Sequence, residues 1–136
     1  MLLQTWMAGT SPAMTKTNKP QHVSLARSEH EAAHQCYQQA LPLYRQVGNI
    51  LGEANCIKSL GDIALLRSDH IAARVQYSKA LALYERIREP YSIGMTQERL
   101  ARVTQGETRD RHLAAAVAAW ASIGRHDLVE WLNKTK

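Results

Sequence analysis

The sequence predicts an all-α chain built from a repeated pair of helices, and three observations carry that reading. A shift of forty residues lays 25–47 over 65–87, with eleven of twenty-three positions identical, where average residue usage would give roughly one or two. Within each copy the apolar residues recur at three- and four-residue steps, which places them on one face of a helix. Between the stripes stand the Ser, Asp, Gly and Pro residues that start and stop helices.

The first copy carries the stripe Ala33, Tyr37, Ala40, Tyr44 and Val47. Ser28 and Glu31 form a capping box ahead of it, so a short helix over 22–27 and a longer one over 30–47 are expected. Pro42 falls inside that stripe and predicts a kink, costing up to about 3 kcal/mol. Gly48 then suits a helix C-terminus.

The second unit opens with Ala54, Ile57, Leu60, Gly61 and Ala64, predicting a helix over 50–67. Its partner over 70–88 carries Ala73, Tyr77, Ala80, Tyr84 and Ile87. Ser68, followed by Asp69, is expected to cap it. The small residues Gly61, Ala73 and Ala80 let the two helices approach closely while Tyr and Leu fill the space beside them. Each unit is thus a helical hairpin.

Pro90 fits the first turn of a third pair, with helices expected over 91–105 and 109–123. Its second helix joins the repeat when about four loop residues are deleted, a gap that matches Ile123-Gly124 to Val47-Gly48. The tail HDLVEWLNKTK predicts a closing helix over 126–134. Residues 1–20 lack a basic n-region and a long apolar run, so they read as a disordered segment ahead of a repeat domain over 21–136.

Leu60-Gly61 on one helix, then Ala73, Tyr77 and Ala80 on the next, resembles the tetratricopeptide (TPR) signature. The forty-residue period is similar to the longer variants of that family, beyond the usual roughly thirty-four. The resemblance implies a right-handed solenoid of antiparallel helical hairpins, with about 2.5–3 repeats plus a C-terminal capping helix. It further implies a protein–protein interaction module or scaffold that takes a peptide or partner helix in a concave groove. Carried over by position, Asn55, Lys58, Ser59 and Asp62 line that groove from the second unit, and Met95, Glu98, Arg99 and Arg102 from the third. Ser59 and Met95 stand where the family's chaperone-tail clamp wants Asn and Lys, so capture of that tail is not expected. The first unit has Pro20-Gln21 in place of Leu-Gly, so part of the stripe around Ala33, Tyr37, Leu41 and Tyr44 is expected to lie bare, to be covered by another copy of the chain, by a partner, or by residues 1–20 folding back. The alternative implied by the resemblance is a ligand-sensing fragment of a larger signalling ATPase or transcriptional regulator.

His30-Glu31-Ala32-Ala33-His34 spells the H-E-x-x-H pattern, in which two His one turn apart grip zinc and Glu serves as base. The repeat argues against that chemistry: His30 matches His70, whose surroundings keep neither the Glu nor the second His. Glu31 is accounted for by the capping box, and Ala32 and Ala33 by packing. No nucleophile motif or Gly-rich phosphate loop is present, so no catalytic role, metal or cofactor is expected. Seventeen basic residues are interleaved with twelve acids rather than gathered on a stripe, which disfavours nucleic acid. No apolar run reaches the roughly 18 residues of a membrane span. Two cysteines, Cys36 and Cys56, outside any C-x-x-C pair, fit a reducing cytoplasm.

Overall fold

A computed structural model describes the backbone of residues 19–135 and the side chains of residues 26–135. The described chain is helical, with no strand. Its helices are α1 (Lys19–Val47), α2 (Ile50–Leu66), α3 (His70–Arg86), α4 (Pro90–Arg102), α5 (Gly106–Ser122) and α6 (His126–Thr135). The expectation of disorder falls, for residues 1–18, outside the described residues.

The helix expected to break near residue 28 does not. α1 runs through Ser28 and Glu31 as one helix, because no Gly or Pro interrupts that stretch and a Ser inside a helix costs only a fraction of about 1 kcal/mol. α1 also continues through Pro42. Proline has no N–H for the carbonyl of Gln38, yet both residues are exposed, so water can serve that carbonyl.

Four of the turns share one construction. The chain leaves each helix through a left-handed residue: Gly48, Ser68, Arg88 and Gly124 have φ between 52° and 73°. The next N–H then bonds the carbonyl five residues back, as in Asn49 to Tyr44 (2.9 Å), Asp69 to Ala64 (2.9 Å), Glu89 to Tyr84 (3.1 Å) and Arg125 to Trp120 (2.9 Å). These are Schellman closures, which satisfy carbonyls that the helix end would otherwise strand. At three of them the following residue caps the next helix: Asn49 Oδ1, Asp69 Oδ1 and Glu89 Oε2 accept from Gly52, Ala72 and Ser92. Ser68 is therefore the stop of α2 rather than the cap of α3; the cap is Asp69.

The same left-handed residue recurs at 48, 68 and 88, so helix plus turn occupies twenty residues and two such steps make the forty-residue period. α2, α3 and α5 have 17 residues each, whereas α4 has 13. The four missing residues thus fall inside α4, shortening it by about one turn, not in a loop. It stops where Thr104 Oγ1 takes the carbonyl of Leu100 at 2.8 Å, a side-chain bond that competes with continued helix.

α2 packs on α3, α3 on α4, α4 on α5 and α5 on α6. Direction follows from two hydrogen bonds. Asn55 near the start of α2 meets Tyr84 near the end of α3, and Asp62 seven residues on meets Tyr77 seven residues back, so the two helices run antiparallel. The seams are as patterned: Ala73, Tyr77, Ala80 and Tyr84 are fully buried. Gly61 makes room for Tyr77, since a Cβ there would stand 2.8 Å from its ring. Gly94 does the same for the Trp120 indole in the next pair.

The corresponding α1 stripe is less covered. Tyr37, Ala40, Leu41 and Tyr44 are half-buried, and Leu41 packs on the cluster of Ala54, Ile57, Ala80 and Tyr84. Leu43 and Val47 are 62% and 76% exposed, where their repeat counterparts Leu83 and Ile87 are half-buried.

Candidate functional site

α2 and α4 present the expected groove residues, and the structure draws five of the eight into one ionic ribbon. Asp62 is its centre. One carboxylate oxygen accepts the Tyr77 phenol at 2.5 Å and lies 3.4 Å from Arg99 Nε of α4. The other oxygen takes Lys58 Nζ at 3.2 Å, one turn earlier on α2. Arg99 also pairs with Glu98, whose second oxygen accepts Arg102 Nε at 2.6 Å. The alternation Lys58, Asp62, Arg99, Glu98, Arg102 carries three cations against two carboxylates.

The remaining three residues divide differently. Asn55 is exposed and accepts the Tyr84 phenol at 2.5 Å. Ser59 is half-buried. Met95 packs on the cluster of Ala101, Leu113, Ala116, Trp120 and Leu132. Glu98 has only 7% of its side chain exposed, so the acid of the ribbon that pattern reading placed on an open face is buried beneath two arginines.

Burial sets the chemistry of the phenols. Tyr77 is pushed well above the ordinary range, first by burial, then by its bond to the Asp62 carboxylate and that group's charge, with Arg99 and Arg102 opposing. Tyr84 is pushed up to about 12, mainly by burial. Both are neutral hydrogen-bond donors at physiological pH. Tyr77 anchors the ribbon to the core through Asp62, and Tyr84 holds Asn55 beside it.

No family model matches the chain, and searches of curated proteins and of solved structures give no match.

A further polar pair carries no sequence motif. His112 Nδ1 is 2.6 Å from Gln97 Oε1, joining α5 to α4. Gln97 is buried, and the His112 pKa is lowered, first by burial and then by the charges of Arg74 and Arg111. His30 and His34 are half-buried on α1, and among the described residues no three His, Cys, Asp or Glu side chains converge as metal ligands. Cys36 and Cys56 are both free thiols. No described helix is long and apolar enough to cross a membrane.

Proposed function

We propose that the chain is a tetratricopeptide-like solenoid of helical hairpins that binds a peptide or partner helix along the ribbon on α2 and α4. The observation that carries this reading is the Asp62–Arg99 pair. It links α2 to α4 at 3.4 Å, which supports a polar surface that runs across repeats rather than along one helix. The forty-residue self-similarity and the twenty-residue recurrence of one turn type support the solenoid.

Partner recognition falls to exposed Asn55 and Arg102 with half-buried Lys58 beside them, because Glu98 and Arg99 are committed to internal pairing. Their positive excess suits a partner with acidic residues. The test compares the chain with a Lys58→Ala, Arg102→Ala double variant in affinity capture and mass spectrometry. Both substitutions leave Asp62 and Glu98 paired through Arg99, so helical circular dichroism and Tm are expected to stay close to those of the parent. Loss of the same proteins from the variant supports the groove. Equal recovery by a folded variant excludes it.

A further inference from the structure

We infer that the cleft at the end of α4 binds a small apolar monocarboxylate, with its acid group on Arg109 and its body on Leu113, Leu132 and Trp131. The register explains why a cleft exists there. Tyr84 and Trp120 hold equivalent Schellman positions, so eleven residues before each, Ala73 of α3 corresponds to Arg109 of α5. Ala73 is fully buried in a cluster with Tyr77 and Leu100, against which Ala64 and Leu65 of the last turn of α2 pack. α4 lacks that turn. In its place lies a cleft of about 310 Å³ lined by Glu98, Arg102, Arg109, Leu113, Trp131 and Leu132, among others, at the small end of the roughly 300–1,000 Å³ typical of ligand sites.

The lining states what fits. Glu98 has both oxygens engaged, by Arg99 and Arg102. Arg109 is half-buried, and among the described residues its guanidinium makes no ion pair or hydrogen bond. Its neighbour Asp110 lines an adjoining cleft with Ala114 and Val117, which Arg109 and Leu113 also border, and the two side chains form no ion pair. One uncommitted guanidinium on a half-buried residue matches one carboxylate, which it can grip with two parallel N–H bonds. A phosphate dianion would call for more than one free cation. Leu113 and Leu132 are buried, and Trp131, edge-on to Trp120 at 6.4 Å, is 40% exposed, so an aromatic or aliphatic body finds an apolar floor and a ring face.

This site shares Glu98 and Arg102 with the partner ribbon, but its test uses Arg109 and Trp131, so either reading can fail alone. The full chain is titrated with 3-phenylpropanoate while the Trp131 indole N–H signal, assigned by its loss in Trp131→Phe, is followed by NMR. A saturable shift is expected, with 3-phenylpropanamide binding about tenfold more weakly or worse, since it lacks the charge that strengthens the hydrogen bonds. Arg109→Gln is expected to lower affinity by a similar factor with unchanged circular dichroism. The inference is overturned by the absence of a saturable shift, by equal affinity for acid and amide, or by parental affinity in Arg109→Gln.

Discussion

Asp62 of α2 accepts the phenol of fully buried Tyr77 of α3 on the same carboxylate oxygen that Arg99 of α4 approaches. One side chain thus ties together three helices. Removing it leaves a buried donor without a partner, which costs more than the bond itself contributes. Asp62→Ala is therefore expected to destabilise the chain by about 2–3 kcal/mol, and Tyr77→Phe by only about 1 kcal/mol. Urea denaturation of both single variants and the double variant measures this. Strictly additive effects would show that the two groups do not interact.

Gly61 is fixed by the ring it faces. Tyr77 is anchored at its hydroxyl and enclosed on all sides, so it cannot retreat from a Cβ 2.8 Å away. Gly61→Ala would gain helix propensity at an ordinary site, by about 1 kcal/mol. Here overpacking is expected to dominate, with a net loss of about 1–3 kcal/mol. A raised urea midpoint in Gly61→Ala would mean that the helices are farther apart than described.

Ser68 and Arg88 occupy left-handed backbone at φ 60° and 52°, a conformation that Gly48 and Gly124 adopt in the matching turns without a Cβ penalty. Ser68→Gly and Arg88→Gly are each expected to stabilise the chain, by about 0.5–1 kcal/mol once the greater freedom of Gly in the unfolded chain is counted. A lowered Tm in either would contradict the Schellman assignment.

His112 gives the fold a pH dependence of definite sign. Its folded-state pKa lies below the ordinary value of about 6.5, because burial and two arginines disfavour the imidazolium. Above that value both states are neutral and the contribution is intact. As pH falls, the unfolded chain takes up the proton first, so stability drops until pH passes the folded-state pKa and then levels. Urea midpoints between pH 8 and pH 5 are expected to fall more steeply for the parent than for His112→Gln. Parallel curves would remove His112 from the linkage.

The seam of α3 was legible in the sequence because repetition and helical spacing chose the same residues, and Ala73, Tyr77, Ala80 and Tyr84 are all enclosed. α4 was harder to read. A single stripe describes a helix with one neighbour, whereas α4 packs on both α3 and α5 and buries Gly94, Thr96, Gln97, Glu98, Leu100 and Ala101. Glu98 is polar and falls on the side that periodicity assigns to solvent, yet two arginines cover it. Its missing turn was visible only as a gap of about four residues, and periodicity cannot say whether such a gap falls in a helix or a loop. Ser68 was misplaced by one residue because Ser and Asp are both good caps; which one caps depends on which adopts left-handed backbone.

The aromatic seam between neighbouring helices is tested most directly by nuclear Overhauser spectroscopy on the Tyr77 ring. The ring protons are expected to show cross-peaks to the Hα protons of Gly61 on α2 and to the methyl groups of Leu100 on α4, with which Tyr77 shares a buried cluster. A Tyr77 ring that lacks both sets of cross-peaks and exchanges freely with solvent would contradict the paired-helix architecture and every site built on it.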